Sequence, residues 1–76
     1  MSLDTSWYKA IKREARGIDD YDLGEVYAVQ GNTVITKKGV LGKDKFYFPK
    51  NLVHGFDGNK LIIRVTKEQA GTYRRN

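Results

Sequence analysis

Apolar and polar residues alternate along several short stretches of the chain, and this two-residue period is typical of β-strands with one buried face. Near the C-terminus, Leu61, Ile63 and Val65 fall on the same face of such a strand. In the stretch KFYF, Phe46 and Phe48 share a face, and their neighbours point to the other side. Both patterns predict strands whose apolar face lies in the core.

Turn-forming residues separate these short strands. Gly31 lies between the β-rich runs LGEVYAVQ and NTVIT, which predicts a tight turn joining two strands of a hairpin. Pro49 cannot donate a ladder hydrogen bond, so it ends the KFYF strand or places it at a sheet edge. Asp57-Gly58 is a further turn signal before the last strand. Short strands at this spacing are typical of a small sandwich or barrel.

The two ends of the chain carry different patterns. At the front, Trp7, Ile11 and Ala15 recur every fourth residue, so both a helix and a strand place them on one face, while the local composition favours a helix. Near the C-terminus, Thr66 and Gln69 have the spacing of a capping box around one helical turn, KEQA. The polar tail that follows is expected to be frayed.

The length of 76 residues limits the chain to one domain. We expect part of its core to come from the segment 45–58, through Phe46, Phe48, Leu52, Val53 and Phe56. The absence of cysteine excludes thiol chemistry and disulfides, and it fits a cytoplasmic location. No apolar run approaches the roughly 18 residues of a membrane-spanning helix, so we expect no membrane insertion.

Charge is unevenly distributed along a chain whose formal net charge is +5. Residues 18–30 carry four acidic and no basic side chains, whereas residues 31–50 carry five lysines against one aspartate. A basic surface favours polyanions through counterion release, and it also keeps a small protein soluble. The sequence leaves both roles open for the lysine-rich loop between residues 37 and 45.

Residue types that perform catalysis or bind metals form no recognisable motif. His54 is the only histidine, and no second histidine or cysteine accompanies it to make a metal site. The acidic residues do not have the spacing of a calcium-binding EF-hand loop, and the glycines of KKGVLGKDK do not match a phosphate-binding loop. Because no nucleophile is paired with a base, the chain is predicted not to be an enzyme and to use no cofactor.

Three motifs in order, DLGEV at 22–26, KFYFP at 45–49 and FDGNKLIIRV at 56–65, resemble the PRC-barrel family. This family includes the cytoplasmic barrel of photosynthetic reaction-centre H subunits and the C-terminal domain of a ribosome maturation factor. The chain departs from the pattern at the first acidic turn, where Asp20-Tyr21 stand in place of the usual glycine. The resemblance implies a strand over Lys12–Gly17, a small β-barrel, an adaptor role and no catalytic residues.

We therefore predict an all-β fold, a small PRC-like barrel of five to six short antiparallel strands with a short C-terminal helical turn. Residues 1–11 form an N-terminal extension, 12–70 the barrel, and 71–76 a polar basic tail. The predicted function is a non-enzymatic adaptor that docks another protein or a second copy of itself as a homodimer. The alternative is binding of RNA or single-stranded DNA through the basic loop and exposed tyrosines.

The candidate partner-binding residues are the loop lysines and two tyrosines expected on the outer face: Lys37, Lys38, Lys43, Lys45, Tyr27 and Tyr47. Outward tyrosines beside lysines can stack on nucleic-acid bases or anchor a protein interface. They can also pair with each other across neighbouring strands.

Overall fold

The computed structural model describes residues 9–39 and 44–75. Its seven strands are β1 (Glu14–Gly17), β2 (Asp22–Gln30), β3 (Thr33–Lys38), β4 (Asp44–Pro49), β5 (Val53–Asp57), β6 (Lys60–Ile63) and β7 (Arg74–Arg75). One α-helical turn, α1 (Lys67–Ala70), and two 3₁₀ turns (Lys50–Leu52 and Gly71–Tyr73) complete the described elements. The predicted all-β class with a short C-terminal helix is confirmed.

The strands form a single sheet in the order β5-β6-β1-β2-β3-β4-β7. The pair β1–β6 is parallel, and the other neighbouring pairs are antiparallel. The described residues therefore form seven strands rather than about five to six, one neighbouring pair is parallel, and the sheet is not closed into the predicted barrel. The sheet stays open because β5 and β7 are not paired with each other, and β7 has only two residues.

The predicted hairpin forms between β2 and β3 around Gly31, whose φ of 57° is accessible to glycine without strain. The pairing contains a bulge, because Val26 lies opposite Thr36 while Ala28 lies opposite Ile35. Tyr27 is therefore an extra residue on β2, and such a bulge redirects side chains locally.

The core lies on one face of the sheet and contains the residues that the alternating pattern selects. Phe46 and Phe48 are buried, as are Leu61, Ile63 and Val65, so the predicted inward faces of both stretches are confirmed. Leu52 and Val53 are half-buried against the same cluster. The cluster also contains Ala10, Ala15, Leu23, Val26, Val34 and Ala70.

The strand predicted over Lys12–Gly17 forms at Glu14–Gly17, and it begins after Lys12 takes a left-handed φ of 72°. Ala10 is fully buried and Ile11 packs against the core, so the last residues of the predicted N-terminal extension contribute to packing. Trp7 lies outside the described residues.

The capping box at the C-terminal helix is confirmed. The Thr66 hydroxyl accepts a hydrogen bond from the Gln69 backbone N–H at 3.3 Å, and the Gln69 side chain accepts one from the Thr66 N–H at 3.0 Å. The expectation of a frayed tail is wrong for the described residues, because β7 pairs with β4. Tyr73 supplies the apolar contact, with its ring centroid 5.4 Å from that of Phe48.

The acidic turn between β1 and β2 is tied to the helix by Asp19. Its carboxylate accepts hydrogen bonds from the backbone N–H of Lys67 at 3.0 Å and of Tyr21 at 3.2 Å. The bond from Lys67 is the main reason that the pKa of Asp19 lies below its usual value, and partial desolvation opposes it. The neighbouring Asp20 takes a φ of 67°, a conformation that aspartate tolerates better than most residues.

We expect Asp19→Asn to lower the melting temperature at pH 7, because the amide loses the charge and one of two acceptor oxygens. A carboxylate with a lowered folded-state pKa stabilises the fold above its unfolded pKa of about 4, and this contribution disappears as the pH falls through the folded value. The difference between wild type and variant should therefore shrink from pH 7 to pH 3 in thermal melts. Asp20→Asn is the control, and a gap that is independent of pH would contradict the assignment.

Candidate binding surfaces

Four of the six predicted partner-binding residues lie together on the side of β2, β3 and β4 that faces away from the core. We call this side the outer face. Lys37 lies directly opposite Lys45. Two residues further along these strands, on the same side of the sheet, Tyr47 lies opposite Ile35. Tyr27 joins them through the bulge, with 51% of its surface exposed.

The outer face carries a row of charged residues that crosses four strands. Glu25 lies opposite Lys37, Lys37 opposite Lys45, and Lys45 opposite Arg75. We call Lys37, Lys45 and Arg75 the cationic row. The ammonium of Lys37 lies 3.6 Å from the centroid of the Tyr27 ring, and that of Lys45 lies 5.8 Å from it.

Lys38 is separated from this row because it follows Lys37 on the same strand and points the other way. Its ammonium donates a hydrogen bond to the Tyr21 hydroxyl at 2.8 Å and lies 4.0 Å from that ring centroid. Lys43 lies outside the described residues. Of the described loop lysines, Lys37 and Lys45 therefore lie in the cationic row and Lys38 does not, whereas the row gains Arg75, which the sequence places in a tail.

A second candidate surface lies at the other end of the sheet, along the edge strand β5. An open groove of about 500 Å³ is lined by Gly17, Ile18, Asp20, His54, Phe56, Asp57 and Ile62, and we call it the edge groove. Ile18 is 58% exposed and Phe56 is 48% exposed. The prediction that Phe56 is a core residue is wrong, because β5 is the last strand of the sheet and no further strand among the described residues pairs with it.

The edge groove is acidic as well as apolar. Within the described part of the chain, the carboxylates of Asp20 and Asp57 form no ion pair, although Lys60 is the cross-strand neighbour of Asp57. Arg16 lies close by, but its guanidinium pairs with Glu14. The hydrogen bond to Glu14 is the main reason that the pKa of Arg16 lies above its usual value, and the charges of Asp20 and Asp22 add to it. The Arg16 guanidinium also donates a hydrogen bond to the backbone carbonyl of Asp20 at 3.1 Å.

The ionisable side chains that line the edge groove are Asp20, His54 and Asp57. His54 is exposed and lines the edge groove. The described residues that line this groove include no serine or threonine. Residues 9–39 and 44–75 contain no group of three or more histidine, aspartate or glutamate side chains that could hold a metal ion. In the same ranges, every helix is too short or too polar to cross a membrane.

The residues of the edge groove could be predicted only in part from the sequence. Ile18 stands between Gly17 and Asp19 in a turn, where a large apolar side chain is out of place, and this could have marked it as exposed. The position of Phe56 depends on the strand order, which the local pattern does not contain. Comparisons of the chain with models of known protein families, with curated proteins and with solved structures found no match, so the PRC-barrel resemblance stays a prediction.

Proposed function

We propose that the protein is a non-enzymatic adaptor that docks a partner protein in the edge groove. The occupant that fits the groove is a partner segment with one large apolar side chain flanked by lysine or arginine. The observation that carries this proposal is the pairing of half-exposed Ile18 and Phe56 in a single groove beside two carboxylates.

The apolar part of the groove supports an anchored contact. Large apolar side chains that stay half-exposed on a small domain gain free energy when a partner covers them, at about 25 cal/mol per Å² of apolar surface. Interfaces concentrate their binding energy in a few such anchors set in concave sites. Ile18, Phe56 and Ile62 line the groove together and form the apolar surface that one anchoring side chain would contact.

The charged part of the groove sets the chemistry of the partner. Asp20 and Asp57 leave two acceptor groups without an ion-pair partner among the described residues, while the protein as a whole is basic. A basic side chain next to the apolar anchor would meet these carboxylates, and an acidic one would be repelled. Charge complementarity therefore selects against acidic partner segments.

The proposal is tested with a displayed library of random nine-residue peptides, selected against the folded protein. We expect the enriched peptides to share a large apolar residue next to lysine or arginine. A synthetic peptide of the enriched sequence, labelled for fluorescence anisotropy, should bind wild type and lose at least tenfold in affinity to Phe56→Ser. Tyr27→Ser is the matched control, because Tyr27 is equally exposed but lies outside the groove.

Three results would contradict the proposal: no enrichment, enrichment of acidic peptides, or equal loss of affinity in Phe56→Ser and Tyr27→Ser. Sedimentation equilibrium at tens of micromolar tests the homodimer. If wild type is a dimer and Phe56→Ser is a monomer, the occupant of the groove is a second copy of the chain and not a basic peptide. A single species of 8.7 kDa would exclude the homodimer at that concentration.

A further inference from the structure

We propose that the outer face is a second binding site, which takes a single strand of nucleic acid across strands β2, β3, β4 and β7. The phosphates would follow the cationic row, and the bases would lie on the neighbouring tyrosines. This site is separate from the edge groove in position and in charge, so it stands independently of the proposed docking function.

The cationic row concentrates positive charge on a small area of the sheet. Neighbouring strands lie about 4.8 Å apart, so the backbone positions of the three basic residues span about 10 Å. Like charges directly opposite each other destabilise a sheet. Such a row is therefore a cost to the fold that a bound polyanion removes.

These cations also keep their charge available. Among the described residues, Lys37, Lys45 and Arg75 form no ion pair, whereas Arg74 next to them is held by Asp44 at 2.5 Å. The contact of Lys37 with Tyr27 is a cation–π interaction with a neutral ring, so it orders the ammonium without neutralising it. Glu25 is the one acidic residue in register with the row, and it lies at its end.

An aromatic surface runs beside the row. Tyr27 is exposed on the outer face because of the bulge in β2. Tyr47 lies next to an open depression of about 620 Å³ that Tyr73 and Arg75 also line. Aromatic rings next to a basic track are the arrangement with which proteins hold single strands, since every base can stack on them.

These features favour a single strand over a duplex or an acidic protein. Bases of a duplex are already stacked inside it and cannot use the tyrosines. An acidic protein segment would satisfy the cations but would leave the rings and the depression unused.

The test measures binding of a labelled twelve-nucleotide polyuridine RNA by fluorescence anisotropy over a series of salt concentrations. We expect the double variant Lys37→Gln/Lys45→Gln to flatten the slope of log affinity against log salt by about 1.4, which is about 0.7 for each phosphate that a lysine no longer neutralises. Tyr27→Ala should weaken binding by roughly tenfold at constant salt, because one base no longer stacks on the protein. The melting temperatures of the variants establish that they are folded.

The matched control is Lys9→Gln/Lys60→Gln, which removes the same charge from exposed positions away from the outer face. If this control flattens the slope as much as the outer-face variant, general charge explains the binding and the proposal fails. It also fails if a duplex or a twelve-residue polyglutamate binds as tightly as the RNA, or if Tyr27→Ala has no effect. Phe56→Ser should leave RNA binding unchanged, so this result and the peptide result can fail separately.

Discussion

Phe48→Ala is expected to remove most of the protein's free energy of unfolding at 25 °C. Phe48 is completely buried, stacks parallel to Phe46 with ring centroids 5.7 Å apart, and touches Tyr73. Truncating a buried phenylalanine costs about 3–5 kcal/mol, because the transfer energy is lost and a cavity remains. A domain of this size has about 5 kcal/mol of total stability, so little would be left.

Thermal melts followed by circular dichroism measure this effect. We expect a fall in melting temperature of roughly 15–30 °C, given about 4–8 °C for each kcal/mol in a small domain. Tyr27→Ala is the control from the same sheet, and its exposed side chain should cost only about 0.5 kcal/mol. A cooperative melt of Phe48→Ala within a few degrees of wild type would mean that Phe48 is not the centre of the core.

The burial of Phe48 could be predicted from the sequence because it depends on a local property. Side chains alternate across a strand whatever its neighbours are, so the pattern in KFYF and in LIIRV already separates the buried from the exposed positions. The hairpin around Gly31 and the capping box at Thr66 are equally local, and the structure contains both. Short-range patterns therefore account for the all-β class and much of the core.

The order of the strands could not be predicted in the same way. The parallel pairing of β1 with β6 joins residues more than forty positions apart, and it makes β5 an edge strand. Phe56 has the same apolar character as Phe46, but it lies on that edge and stays half-exposed. Its exposure follows from the topology, and no pattern within five or six residues contains this information.

The cationic row depends on register in two strand pairs at once, β3–β4 and β4–β7. The lysine-rich loop suggested a basic site, yet alternation sends Lys37 and Lys38 to opposite sides of β3, and only Lys37 joins Lys45. Arg75 completes the row because β7 pairs with β4, although the sequence around it indicated a frayed tail. The bulge that exposes Tyr27 is a further nonlocal feature, because it exists only relative to β3.

The motif LGEV contains a glycine that the fold cannot replace, and Gly24→Ala is expected to destabilise the protein by on the order of 3 kcal/mol or more. Gly24 has a φ of +88°, which costs an alanine about 1–2 kcal/mol. An added Cβ would also lie 1.9 Å from the backbone oxygen of Lys37 and 2.8 Å from the Cα of Lys38. Because both neighbours are backbone atoms of β3, β2 would have to move away from β3.

Gly31→Ala separates the two causes. Gly31 also has a positive φ, but an added Cβ would meet nothing within 4 Å, so this variant should lose only the conformational part, about 1 kcal/mol. Chemical denaturation of both variants gives the difference in unfolding free energy. We expect Gly24→Ala to lose at least about 2 kcal/mol more than Gly31→Ala, since the backbone contact adds to the conformational cost. Equal losses would mean that β2 and β3 are not packed as closely at Gly24 as the contact with Lys37 requires.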